Sequence, residues 1–226
     1  MKVTYYGHSC FEVEITGKKI LFDPFISPNE LAKNINLEEI SPDYILVSHG
    51  HFDHIADLIS IAKRRSCKVI SNWEIIDWIG KQGIENSHPM NTGGSFIFDF
   101  GKVKCVKAEH SSSLPDGSYG GNPMGFVIES EEGNFYYAGD TALTMDMKLI
   151  GDYKKIDFAF LPIGNNFTMN ADNAVIASDF IRCDKIIGMH FDTFGYIKID
   201  HEDAVRKFKA TGKELILMRI GETIKI

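Results

Sequence analysis

Short apolar runs, broken every few residues by glycine, proline or charge, set the pattern of this chain from its start. Segments 3–6, 11–15 and 19–22 are β-rich, and Thr16-Gly17-Lys18 between the last two is a hairpin signal. Asp23-Pro24 ends the third segment, because proline cannot continue a ladder. Residues 25–42 read as irregular or as a short helix, and 44–48 as a buried strand. Residues 56–65 have helical spacing, with Leu58, Ile59 and Ala62 on one side and basic residues at the end. A strand at 68–71 and a helix at 73–81 follow, the helix closed by Gly83. Asn91-Thr92-Gly93-Gly94 marks a turn before strands 96–100 and 103–108. Residues 111–123 are rich in Ser, Gly and Pro without periodicity, and are expected to form a mobile wall over a neighbouring pocket. Strands 124–129 and 135–138 make a further hairpin around Glu131-Glu132-Gly133-Asn134. A helix near 145–150, a strand at 158–161, a helix at 171–181 and a strand at 186–189 come next. Asp200 N-caps a helix through 209, which Gly212 closes, and strands 215–218 and 223–226 finish the chain.

No repeat is visible at the residue level and no linker divides the chain, so residues 1–226 are expected to form one domain. Hairpins followed by αβ units, twice over, predict an α+β fold: two mixed β-sheets packed face to face with helices outside, an αββα sandwich. Composition leaves this picture intact, with 44% hydrophobic and 24% charged residues. The net charge of −7 disfavours nucleic acid and anionic membranes as partners. No apolar run reaches the length of a membrane span, and Met1-Lys2-Val3-Thr4-Tyr5-Tyr6 reads as a strand rather than a signal peptide. Cys10, Cys67, Cys105 and Cys183 are scattered without a Cys-x-x-Cys pair. They read as reduced, packed thiols, and a cytoplasmic location is expected. The 16 phenylalanines leave room for an exposed apolar face and a homo-oligomer.

Chemistry concentrates in His49-Gly50-His51-Phe52-Asp53-His54, directly after the apolar run Tyr44-Ile45-Leu46-Val47. Three imidazoles and a carboxylate in six residues suit zinc, and admit manganese or iron, when they converge on one point. His49 and His51, two apart on an extended segment, share a side. Other apolar strands end in the same way: 103–108 in Glu109-His110, 135–138 in Gly139-Asp140, and 186–189 in His190. Ligand crevices of αβ sheets lie at such carboxyl ends. A lone histidine after a strand means little, but five His and two Asp exceed one tetrahedral zinc site and fit two metals sharing a carboxylate. His88 and His201 read as surface residues. Ser111, Ser112, Ser113 and Thr193 carry no signal beyond that of ordinary loop residues.

The pattern His49-x-His51-x-Asp53-His54, with His110, Asp140 and His190, resembles the metallo-β-lactamase superfamily over most of the chain. Gly7-His8-Ser9, Asp23-Pro24-Phe25, Ala138-Gly139-Asp140-Thr141, Leu161-Pro162-Ile163-Gly164 and Phe167-Thr168-Met169 narrow the resemblance. They are similar to the small single-domain metal-dependent hydrolases related to ascorbate-6-phosphate lactonases. The resemblance implies the metallo-β-lactamase fold and a first metal on His49, His51 and His110. It implies a second metal on Asp53, His54 and His190, with Asp140 bridging the two. Two divalent ions, Zn²⁺ first and Mn²⁺ second, would share a water and lower its pKa towards neutrality. The implied activity is cleavage of a small ester, a phosphodiester or lactone, by metal-activated hydroxide. Asp53 is the candidate to accept a proton or orient the nucleophile. His8 is a candidate catalytic residue, as a proton donor or substrate contact, or else it braces the Gly7 turn. Relatives often carry an acidic residue at the position of Asn165 and a Gly-Pro-like pair at Asn170-Ala171, which places those positions near the pocket rim.

Three rival functions are weaker. Nuclease or RNA-processing members usually add an arm or domain, whereas the basic cluster here, Lys63-Arg64-Arg65, reads as a helix C-terminal cap. The diiron branch replaces the second motif histidine with glutamate and uses a flavin domain, and His51 argues against it. A non-enzymatic metal-loaded scaffold needs a degraded site, whereas all seven ligand positions are filled.

Overall fold

The computed structural model describes residues 1–226. Burial alternates along the first strand, which lays one face on the core and the other towards solvent, whereas the next two are buried over most of their length. Lys2–Gly7 (β1), Cys10–Ile15 (β2) and Lys18–Phe22 (β3) form an antiparallel meander. Tyr44–Leu46 (β4), Lys68–Asn72 (β5) and Ser87–Met90 (β6) then add in parallel. Their connections carry helices Phe52–Ile55 (α1), Leu58–Arg65 (α2) and Trp73–Gly80 (α3).

The second sheet repeats this plan. Ser95–Phe98 (β7), Gly101–Lys107 (β8), Met124–Ser130 (β9) and Gly133–Tyr137 (β10) are antiparallel neighbours. Phe158–Pro162 (β11), Lys185–Met189 (β12) and Glu214–Ile216 (β13) continue in parallel. Helices Met147–Tyr153 (α4), Ala171–Phe180 (α5) and His201–Ala210 (α6) belong to this half. Thr223–Lys225 (β14) crosses back to pair with β1. Each sheet has seven strands, ordered β14-β1-β2-β3-β4-β5-β6 and β13-β12-β11-β10-β9-β8-β7. Each changes from antiparallel to parallel at one place, β3/β4 in the first and β10/β11 in the second. These are the topological switch points where ligand crevices open.

A cluster of 43 buried residues joins the inner faces of the two sheets. Phe22 stands at its centre, stacked on Tyr137 at 4.6 Å between ring centroids, with Phe135 at 5.9 Å, Phe126 at 6.3 Å and Phe160 at 6.5 Å. A second cluster of 18 buried residues fills the space between the first sheet and its helices, with Val47, Leu58, Ile61, Val69 and Ile75 among them. The αββα sandwich expected from the order of elements is the architecture observed.

Local differences have identifiable causes. The helix expected at 56–65 is observed as α2, which starts at Leu58, and a one-turn helix that was not expected, α1, precedes it within the histidine motif. The buried Asp57 carboxylate turns away to accept hydrogen bonds from the Ile26 and Ser27 amides at 2.7 and 2.9 Å. Strand β6 lacks a sequence signal because Ser87-His88-Pro89 breaks the apolar run, which an edge position tolerates. Residues 111–123, expected as a mobile wall, are internally hydrogen bonded: Leu114 N donates to Ser118 O at 2.8 Å and Gly120 N to Ser112 O at 3.1 Å. The buried Asn72 side chain clamps this loop by donating to Gly120 O at 2.8 Å. Gly121 has φ +76° and leaves no space for a Cβ beside Asn72. All four cysteines are free and buried, as read from their spacing. No helix is long and apolar enough to cross a membrane.

Phe22 fills the space between the sheets with no route for solvent, so removing its ring leaves a cavity. Phe22→Ala is expected to lower unfolding free energy by roughly 3–5 kcal/mol in denaturant titrations. A loss under about 1 kcal/mol would contradict the central place given to this ring.

Candidate metal centre

The strand β4 stops at Leu46 because the chain there leaves the ladder and runs out over the switch point. Ser48 follows, its amide donating to Asp23 Oδ1 at 2.7 Å and its hydroxyl to Asp23 Oδ2 at 2.6 Å. His49 and His51 come next on an extended segment, and His51 is the N-cap residue of α1. One turn later α1 presents Asp53 and His54, the turn closed by His54 N donating to His51 O at 2.9 Å. The second sheet contributes residues just beyond its strand ends: His110 after β8, Asp140 after β10 and His190 after β12. His190 has φ +55°, and its amide donates to His8 O at 2.9 Å, which ties the loop after β12 to the turn between β1 and β2.

These side chains converge. His49 Nε2 and His51 Nδ1 lie 3.0 Å apart, and with His110 they form one group able to hold a metal ion. His8, Asp53, His54 and His190 form another. Asp140 Oδ2 stands between the groups, 3.6 Å from His110 Nε2, 3.3 Å from His54 Nε2 and 2.9 Å from His190 Nε2. All seven residues expected as ligands therefore lie in one cluster, and His8 lies against it. His8 Nε2 is 3.0 Å from Asp53 Oδ2, and its Nδ1 is 2.9 Å from Thr193 Oγ1. The ring of His8 also sits 4.2 Å from that of His190. Of the residues read as ordinary, Ser111 Oγ lies 3.4 Å from His51 Nε2. His88 packs on Phe96 and His201 pairs with Asp192, both away from the cluster.

Sequence reasoning gave Asp23 no role at the site: it read it as a strand terminator and as part of the accessory motif Asp23-Pro24-Phe25. Its buried carboxylate accepts the two Ser48 bonds, a bond from Tyr137 Oη at 2.8 Å and one from His54 Nδ1 at 2.8 Å. The consequences are specific. His54 gives its Nδ1 hydrogen to Asp23, which turns Nε2 towards Asp140. Ser48, having given its hydroxyl hydrogen to Asp23, accepts from His49 Nδ1 at 2.9 Å. That fixes His49 with its Nε2 lone pair facing His51. Carboxylates behind imidazoles set tautomer and ring orientation in this way. The only sequence signal for it is an acidic residue at a strand end opposite the histidine motif.

Electrostatics favour a bound cation. Burial and the neighbouring His54 push His49 well below the usual imidazole range, and burial lowers His51 and His110, so these rings offer neutral nitrogens. Burial alone would raise Asp140, but His190 and His54 outweigh it and hold the carboxyl well below its ordinary range. Asp53 is lowered likewise, because His54 and His8 outweigh burial. Burial opposes protonation of His54, yet Asp140, Asp53 and Asp23 together raise its pKa well above the ordinary value. The same negative field that draws a proton to that place draws a metal ion. Three buried atoms have no hydrogen-bond partner there: His54 Nε2, Asp140 Oδ1 and His190 Nδ1. Unpaired buried polar atoms are costly, and an ion at the first two would satisfy them, so the donor set fits a metal.

Residues 18–191 match the family model described as beta-lactamase superfamily domain. The chain belongs to that superfamily. Over its whole length it is 58% identical to a UPF0173 metal-dependent hydrolase of Flavobacterium johnsoniae, covering 100% of both chains. It is 54% identical to one of Methylacidiphilum infernorum, covering 99% of both. Among solved structures, a metallo hydrolase from Ignicoccus hospitalis superposes with TM-score 0.89 at 33% identity, over 99% of this chain and 97% of that one. The isothiocyanate hydrolase from Delia radicum gut bacteria shares the fold, with TM-score 0.81 at 17% identity over 100% and 99% of the chains. The protein is thus a metal-dependent hydrolase of the metallo-β-lactamase superfamily.

Asp23 acts on the cluster through His49 and His54, so its effect reads out in metal affinity. Asp23→Asn is expected to weaken metal binding by about 10–100-fold in competition titrations with a chromophoric chelator. Unchanged affinity in a folded variant would remove Asp23 from this role.

Proposed function

We propose that the protein is a binuclear metal-dependent hydrolase that cleaves a small ester. The single observation that carries this reading is the position of Asp140. One carboxylate oxygen lies within 3.6 Å of ring nitrogens from both donor groups, which supports a carboxylate shared between them. His49, His51 and His110 would hold the first ion, and Asp53, His54 and His190 the second, with Asp140 shared. Nitrogen and oxygen donors without thiolate favour Zn²⁺ and admit Mn²⁺. Bound there, divalent ions would supply a lowered water pKa and polarisation of an ester oxygen, carbonyl or phosphoryl.

The remaining work falls to the chain. Asp53 is a quarter exposed at the floor of an open cavity of about 630 Å³, which also bears Phe52 and Thr193. Its carboxylate is placed to orient the attacking water and accept its proton. His8 has both ring nitrogens engaged, by Asp53 and by Thr193, so it is better suited to hold Asp53 than to ligate. Burial and the nearby His190 push the His8 pKa down to about 4, so the ring stays neutral and can donate one hydrogen to Asp53. The partner in this reading is a small molecule, not nucleic acid or a membrane, and four reduced thiols fit a cytoplasmic location.

Chelation is expected to abolish turnover of p-nitrophenyl acetate, bis(p-nitrophenyl) phosphate and a simple lactone alike, with Zn²⁺ or Mn²⁺ restoring it. Asp53→Asn should lower kcat by roughly 10²–10⁴-fold with the fold intact. Asp140→Asn should reduce metal content from about two ions per chain to about one. Full activity and full metal content in Asp140→Asn would refute the shared carboxylate.

A further inference from the structure

Four aromatic rings stand exposed around the mouth of the cavity above Asp53. Phe52, Phe167, Phe194 and Tyr196 are 57%, 51%, 37% and 78% exposed. They come from three separate segments: the first residue of α1, the loop after β11 and the loop after β12. Together with Asp53 and Thr193 they line the 630 Å³ space, a volume within the range of small-molecule sites. Rings scattered singly over a surface are ordinary, but four on one cavity make a patch that calls for an occupant.

The collar is built in place. The loop of Phe167 passes through left-handed backbone at Asn165 (φ +64°) and Asn166 (φ +57°), and that of Phe194 and Tyr196 through Asp192 (φ +62°). Local hydrogen bonds hold these turns: Asn165 N to Met169 O at 3.0 Å, Asp192 N to Ile197 O at 2.8 Å and Ile199 N to Asp192 Oδ1 at 3.1 Å. Non-glycine residues persist in such conformations where their surroundings over-determine them. Beneath the rim the buried Phe25 ring supports the collar, 5.9 Å from Phe52 and 6.2 Å from Phe194. Phe167 and Tyr196 pack edge to face at 6.2 Å on the far side.

The chemistry of this lining selects its ligand. Asp53 is the one ionisable acid on it, and no lysine or arginine faces the cavity. A substrate with charge remote from its reacting bond finds no counter-charge there, whereas aromatic or aliphatic carbon finds four rings. We propose that the collar is the substrate-binding subsite and takes an uncharged aryl or medium-length acyl group. On the ester-hydrolase reading above, this places the natural substrate among apolar carboxylic esters or lactones rather than phosphodiesters. The apolar group would lie against Phe167 and Tyr196, with the scissile carbonyl beside Asp53.

Binding tests this apart from turnover. The probe is 4-phenylbutyrate, with acetate as the comparator, measured by calorimetry on the metal-loaded protein and on Phe167→Ala, Tyr196→Ala and the double variant. Both side chains are exposed, so the variants are expected to fold. The parent protein should bind 4-phenylbutyrate at least about tenfold tighter than acetate, and the double variant should lose that preference. In turnover, kcat/KM should rise from p-nitrophenyl acetate to the octanoate, and the variants should flatten that rise through KM. Equal affinity for the two acids, or a preference that survives the double variant, would overturn the subsite. A parent dimer that the double variant dissociates, with the preference intact, would assign the rings to contact between copies. Ring-dependent binding without turnover of any ester would leave the subsite standing and remove the ester reading instead.

Discussion

Asp23 places a carboxylate with no exposed surface at the seam between the two sheets. Burying such a group costs several kcal/mol unless its oxygens are fully bonded. Here they accept from the Ser48 amide and hydroxyl, the Tyr137 hydroxyl and the His54 ring. Those partners belong to the segment after β4, to β10 and to α1, so one residue ties the first sheet, the second sheet and the histidine motif. Asp23 itself has φ +43°, a conformation that aspartate tolerates better than most side chains. That turn sends the carboxylate back towards the seam while Pro24 ends the strand. The orientation of His49 and His54 follows from this bond set, and the convergence of the other donors follows from theirs.

The repeated strand plan explains why convergence happens at one place. In each half the sheet changes from antiparallel to parallel beside the strand that carries a donor, and the two halves face each other across an aromatic core. The contributions are unequal. The first half supplies four donors from one short segment, and the second supplies His110, Asp140 and His190 from three strand ends. A dense segment is locally precise because a helix start and an extended strand exit fix its spacing. Single residues on separate strands are precise because the close-packed core fixes the strands. Both requirements are met without disulfides, by packing around Phe22, Phe135, Tyr137 and Phe160.

Much of this was readable in the sequence because strand ends leave a strong mark: an apolar run, then a ligand-type residue. His49, His110, Asp140 and His190 all carry it, and the alternation of hairpins with αβ units gave the layers. What escaped was set by long-range partners. Asp23 looked like a strand stop because its role depends on Ser48, His54 and Tyr137, which lie 25, 31 and 114 residues away. The later start of α2 escaped because Asp57 is drawn off by backbone amides at Ile26 and Ser27. The loop 111–123 looked unstructured because its clamp, Asn72, belongs to another strand. Phe167 was visible only as part of an accessory motif and Tyr196 carried no signal, and their pairing needed the fold to set them side by side.

The division between cluster and collar has a physical logic. The clustered imidazoles and carboxylates sit at the ends of strands or on a helix bonded to Asp23, positions that leave little room for error. Recognition of apolar carbon is non-directional and scales with area, so rings on loops suffice provided the loops hold their shape. The left-handed residues and hydrogen bonds of those loops supply that rigidity, joined in the loop after β12 by the bond from Thr193 to His8. Phe167 and Tyr196 make their aromatic contact with each other and with no ring of the cluster. Exchanging them alters what the cavity accepts while the bonds that position Asp53, Asp140 and the imidazoles remain as they are. The rim and the reaction centre are therefore separable in this fold, with Asp53 as the point where one meets the other.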